Sequence, residues 1–107
     1  MSCNLETPNQ QSSSKSPTDY AEIISHSKKV HGNGIFVYVE IKNTSNKTMK
    51  YVGAEISYYD SNGSILESGV GTTTNVAPGS TAIIDRYFGS KPAGAKYKIR
   101  IKKVTFQ

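Results

Sequence analysis

The sequence predicts an antiparallel all-β domain, and three observations lead there. Apolar and polar residues alternate over short runs, and no 3.6-residue period intervenes between them. Turn formers separate the runs, notably Asn62-Gly63 and Pro78-Gly79. Ser, Thr, Asn and Gly are abundant beside seven Tyr and three Phe, with no Trp, a composition that suits strands and turns better than helices. At 107 residues the chain is long enough for one domain with an ordinary core, burying roughly two thirds of its unfolded surface.

The elements follow in order. Residues 1–18, MSCNLETPNQQSSSKSPT, carry one aliphatic Leu beyond Met1 and are otherwise polar, so they read as a disordered, flexible polar tether. The β-sandwich domain is expected over 19–107. DYAEIISHSK, 19–28, reads as a first strand with a Ser/His-rich exit. GIFVYVEIKN, 34–43, is the strongest: Ile35, Val37, Val39 and Ile41 share one face and Phe36, Tyr38, Glu40 and Lys42 the other. After a polar NTSNKT connection, MKYVGAEISYYD puts Val52, Ala54, Ile56 and Tyr58 on a core face, with Tyr51, Gly53, Glu55, Ser57 and Tyr59 opposite. Asn62-Gly63, tolerant of positive φ, turns the chain into SILESGVGTTT, whose glycines predict a bend or bulge. VAPGST places Pro78-Gly79 at the centre of a type II turn ahead of STAIIDRYFG. In the last strand, KYKIRIKKVTF, Tyr97, Ile99 and Ile101 alternate with Lys96, Lys98, Arg100 and Lys102. Val104 is out of step with Ile101, which predicts a bulge at Lys102-Lys103. About six to seven even strands without helices make an immunoglobulin-like sandwich of two packed sheets.

The segment ISYYD, 56–60, followed by SNGSIL and then NVAPGST, resembles the FxLYD family of bacterial envelope proteins. In that family a strand ending in aromatic-x-aliphatic-Tyr-Asp runs into a Gly turn, and a Pro-Gly turn precedes the next strand. VYVEIKNTSNKTMKYV is similar to the family's first core strand with its Asn-rich exit, and the likeness spans roughly residues 34–90. Ile56 stands for the aromatic and Tyr58 for the Leu, which keeps the in-facing apolar pair. The resemblance implies a small exported sandwich, often tethered as a lipoprotein, with no agreed biochemical activity. It assigns Tyr59 and Asp60 to packing and turn capping.

Cys3, at the head of the polar tail, is the one cysteine, so no intrachain disulfide can form. Lipoproteins mature to a lipid-modified Cys followed by such a tether. Cys3 is therefore a candidate lipidation site, with an extracytoplasmic position at the bacterial cell membrane held by the lipid anchor only. The alternative is a Cys that happens to lie in the tail. No run approaches the ~18 apolar residues that cross a bilayer.

The sequence offers no reaction centre. His26 and His31 would fall on opposite faces of one strand, and neither has companions for zinc. Asp60, Glu67 and Asp85 lack calcium-loop spacing, the Ser and Thr residues lack a nucleophile elbow, and GVGTTT, 69–74, has no Lys to make a phosphate loop. Asn43, Asn46 and Asn62 match glycosylation acceptors but read as turn chemistry. A non-catalytic domain, without cofactor or metal, is expected.

Two groups remain as candidate binding residues. Phe36, Tyr38, Tyr51 and Tyr59 point away from the core faces and form a possible binding face for glycan or peptide; the plain reading is cross-strand packing. Lys96, Lys98, Arg100 and Lys102 form a row of like charge. The row could be neutralised by Glu40, Glu55 or Asp85, could protect a sheet edge from aggregation, or could meet an anionic partner such as teichoic acid or lipid headgroups. Thirteen basic against eight acidic residues, a formal charge of +5, lean the same way. The expected partners are an unknown protein or an envelope polymer, with no nucleic acid, and the domain is expected to be monomeric. Its function is expected to be protein-protein interaction at the membrane surface, or alternatively binding of cell-wall glycan or anionic polymer.

Overall fold

The computed structural model describes residues 15–107; Cys3 and most of the predicted tether lie outside the described residues. A 3-10 turn, Pro17–Tyr20, comes first, with Ser16 and Asp19 forming a reciprocal capping box. The expected domain boundary between residues 18 and 19 falls inside this turn. Six strands follow: β1 Ala21–His31, β2 Gly34–Asn43, β3 Met49–Tyr59, β4 Ile65–Val76, β5 Thr81–Gly89 and β6 Lys96–Phe106.

The strands form two antiparallel three-stranded sheets, ordered β1-β2-β5 and β4-β3-β6. These are the A-B-E and C′-C-F arrangements of an immunoglobulin-like sandwich, the fold predicted from strand spacing. The core is the set of inward faces read from alternation. Val37, Val39 and Ile41 on β2, Val52, Ala54, Ile56 and Tyr58 on β3, and Ile84 and Phe88 on β5 are fully buried. Tyr58 meets Phe88 edge-on across the gap, with centroids 5.3 Å apart.

Three local features differ from expectation. β1 starts later and runs further than 19–28, because residues 17–20 are spent in the turn and the strand continues through the Ser/His stretch to pair His31 with Gly34. Gly32, at φ +54, makes that tight hairpin. The Asn62-Gly63 turn uses positive φ at Gly63 alone (φ +86). It is a three-residue loop closed by Gly63 N–H to Asp60 O (3.0 Å) and Asp60 N–H to Ser64 O (2.9 Å). The Asp60 carboxylate caps it as expected, accepting from the backbone N–H of Asn62 and Ser64 at 2.9 Å each. The glycines of β4 do not bulge the strand; its register shift lies opposite Tyr58/Tyr59. They let β4 approach β5 instead, since a Cβ on Gly71 would meet Asp85 O and Ile84 Cγ2 at 2.7 Å.

Two other expectations hold in detail. Pro78-Gly79 forms the predicted turn, with Gly79 at φ +77 and Ser80 N–H bonded to Ala77 O at 3.0 Å. β6 is irregular where predicted: Gly53 pairs with Lys103 and Ala54 with Ile101, leaving Lys102 as the extra residue and returning Val104 to the core.

Asn43 ends β2 and is fully buried. Its Nδ2 donates to Lys47 O and Val76 O, both at 2.8 Å, and its Oδ1 accepts from Ser45 N–H (2.9 Å) and Ser45 Oγ–H (2.7 Å). The side chain ties together two loops that cross between the sheets, so this acceptor motif is structural.

Candidate binding faces

Each sheet turns one face outward, and the two outer faces differ in chemistry. The four aromatics predicted as one binding face are divided between them. Phe36 and Tyr38 lie on β2, in the first sheet, while Tyr51 and Tyr59 lie on β3, in the second. All four are half-buried and outward, as the alternation required. They cannot share a ligand, because the core separates the sheets.

On the first sheet, Phe36 and Tyr38 stack at 6.0 Å with a 22° interplanar angle. Tyr87, the cross-strand partner of Phe36 on β5, packs against it at 5.0 Å, and His31 meets the same ring edge-on at 5.7 Å. The Tyr87 ring lies in the space a Cβ on Gly34 would take. Ile83, 57 % exposed, and Tyr87, 46 % exposed, extend the surface along β5. Glu22, Glu40 and Asp85 sit on this face, Glu40 accepting from Ser25 Oγ–H at 3.0 Å, with Lys29 in register with Phe36 and Lys42 in register with Glu22. The face is aromatic and close to neutral. Ile83 and Tyr87 were legible in principle from the alternation of AIIDRY, but their neighbourhood depends on the β2–β5 register.

On the second sheet, the predicted cationic row is an edge strand, since β6 has only β3 as a ladder partner. Of the three acids proposed to neutralise it, Glu55 does so, and Glu40 and Asp85 belong to the other face. Arg100 donates to Glu55 Oε1 from Nη2 (2.7 Å) and Nε (3.2 Å). That hydrogen bond, with the charges of Arg100 and Lys102, holds the Glu55 carboxyl below its ordinary pKa against a smaller opposing effect of desolvation. Lys98 Nζ stands 5.3 Å from the Tyr59 ring centroid and Lys103 Nζ 6.0 Å from that of Tyr51. The two tyrosines therefore meet the basic row, which their separate prediction did not anticipate. Shallow depressions run along the face, one lined by Tyr51, Gly53, Val70, Lys102 and Lys103 and the next by Glu55, Ser57, Tyr59, Lys98 and Arg100.

The histidines diverge as predicted. His26 Nδ1 is 2.8 Å from Tyr97 Oη, bridging β1 to β6, whereas His31 stacks on the opposite side of its sheet. Burial raises the pKa of both Tyr97 and Tyr58, and the Tyr97 phenol adds to the shift at Tyr58.

One charged arrangement gave no sequence signal. Lys91, with its side chain only 8 % exposed, closes one end of the sandwich by donating to Glu67 Oε1 (2.6 Å) and Gly89 O (2.8 Å). Its Nζ lies 5.6 Å from the Tyr58 ring centroid. In KPAGAK it reads as an ordinary loop lysine, and its partner is 24 residues away.

The fold and faces define a two-sheet β-sandwich of immunoglobulin-like strand order. In comparison with known proteins, no family model, no curated protein and no solved structure matches this chain.

Proposed function

We propose that the chain is a non-catalytic domain held at the outside of a bacterial membrane by lipid on Cys3, where it works by protein-protein contact through the outer face of its first sheet. The observation that carries the contact is the outward apolar surface of half-buried Phe36 and Tyr38 with exposed Ile83 and Tyr87, because a contiguous apolar patch on a polar domain is the usual mark of an interaction site. Its flanking charges, Glu22, Glu40, Asp85, Lys29 and Lys42, supply the polar rim that such interfaces carry. The envelope location rests on the polar stretch after Cys3 and on the likeness of ISYYD and NVAPGST to FxLYD proteins.

Two measurements test this reading in a bacterial host, with the chain expressed behind a lipoprotein signal. Palmitate labelling is expected in the unaltered chain and lost in Cys3→Ala, and a chain that remains unlabelled behind a functional signal refutes the anchor. A photo-crosslinking residue at Tyr87 is expected to yield discrete protein adducts, whereas one at Thr72, on the other outer face, yields none. Equal adducts from both positions would refute the assignment of the face.

A further inference from the structure

The positive charge of this domain is concentrated on one face. The outward residues of β3, β4 and β6 include five cations, Lys96, Lys98, Arg100, Lys102 and Lys103, against the single carboxylate of Glu55. Asp60, at the end of the face, is occupied in capping its turn. The first sheet, by contrast, sets Lys29 and Lys42 against Glu22, Glu40 and Asp85. A polyanion meeting this molecule is therefore drawn to the second sheet.

The shape of the charge is a line. Lys96, Lys98 and Arg100 repeat every two residues, about 7 Å, and the bulge at Lys102 adds two successive lysines, so the row runs for about 23 Å at the usual strand rise. Edge protection alone does not account for where the side chains lie. Lys98 and Lys103 lean back over β3 onto the Tyr59 and Tyr51 rings, which holds their ammonium groups above the sheet. A flat membrane surface would suit cations spread over the face; here they follow one strand, with tyrosines and Val70 alongside.

We infer that the outer face of β3 and β6 binds a linear phosphodiester polymer, with the β6 cations contacting successive phosphates and Tyr51 and Tyr59 flanking the chain. The choice of a polyol-phosphate wall polymer among such polyanions rests on the envelope reading proposed above; the track itself does not. Glu55 is a built-in restraint on this site, because it occupies the one arginine of the row.

The test titrates the full chain with poly(glycerol phosphate) at 50 and 200 mM salt, in parallel with phosphatidylglycerol-containing vesicles and single-stranded oligothymidylate at equal phosphate concentration. With four to five phosphates contacted, the log–log salt slope is expected near −3, a loss of about 60-fold across that range. Lys98→Glu with Arg100→Glu should weaken binding at least tenfold. Lys98→Gln with Lys102→Gln and Lys103→Gln, which introduces no repulsion against Glu55, should do the same with unchanged thermal unfolding. Glu55→Gln should tighten it by freeing Arg100. Polymer binding that ignores all three variants, or that is absent at 50 mM salt, overturns the inference even where Cys3 labelling upholds the envelope reading. Tighter binding to vesicles overturns it in favour of a membrane face, and tighter binding to oligothymidylate overturns it in favour of nucleic acid. A chain that binds the polymer as expected but carries no lipid would leave the track standing and remove the envelope reading.

Discussion

Replacing Asn43 by Ala should damage this domain more than its position near a polar loop suggests. The side chain is fully buried and makes four hydrogen bonds, two given by Nδ2 and two taken by Oδ1. Val76 O is the buried partner, and its loss of a donor costs about 1–3 kcal/mol. The three other bonds lie where water can partly replace them, at about 0.5–1 kcal/mol each. Together these give about 2.5–6 kcal/mol, a large part of the 5–15 kcal/mol that typically holds a domain. Urea unfolding followed by far-UV circular dichroism would show a much lower midpoint with an unchanged slope. The thermal midpoint should fall by about 10 °C or more, at roughly 4 °C or more per kcal/mol for a domain of this size. Asn46→Ala and Asn62→Ala are the controls, since both side chains are exposed, and each should stay within about 0.5 kcal/mol of the unaltered protein. Equal midpoints for Asn43→Ala and Asn46→Ala would refute the reasoning.

Three further outcomes follow from the packing and charges. Ile56→Ala should cost about 2–5 kcal/mol, whereas Ser57→Ala removes only an exposed hydroxyl pair with Ser68 and should cost under about 1 kcal/mol; equal shifts of the urea midpoint would reverse the facing of β3. Gly71→Ala forces a Cβ against the Asp85 carbonyl, which belongs to the backbone and cannot swing away, and should cost about 1–3 kcal/mol or more. Gly53→Ala meets only the end of the Tyr51 side chain and should be tolerated; an equally damaging Gly53→Ala would contradict the close approach of β4 to β5. The depressed Glu55 pKa stabilises the folded state above the ordinary glutamate value of 4.5, and that contribution is lost as pH falls through the lowered folded value. The stability difference between the unaltered protein and Glu55→Gln should therefore be present at neutral pH and vanish in acid, and a difference that grows on acidification would contradict the Arg100 pairing.

The facing of individual strands was plain in the sequence, because each central strand buries one side and the alternation of 34–41 and 52–58 has no other physical reading. The bulge in β6 was legible for the same reason, as Val104 had to return to the core. What the sequence could not show was which strands share a sheet. Pairing of β2 with β5 and of β3 with β6 is fixed by contacts between distant segments, so four outward aromatics looked like one face when they belong to two. The same blindness hid the meeting of Tyr51 and Tyr59 with the β6 lysines, and of Lys91 with Glu67. In the sequence the β4 glycines predict a local bend or bulge, whereas in the fold their role is the absence of a side chain where another strand passes.

Amide chemical-shift mapping of the isotope-labelled chain during a titration with poly(glycerol phosphate) tests most directly the claim that the two outer faces have separate tasks. Shifts should concentrate at Lys96, Lys98, Arg100, Lys102 and Lys103 and at the neighbouring Tyr51 and Tyr59, while Phe36, Tyr38, Ile83 and Tyr87 stay still. Shifts centred on the Phe36–Tyr87 surface, or spread evenly over both sheets, would contradict it.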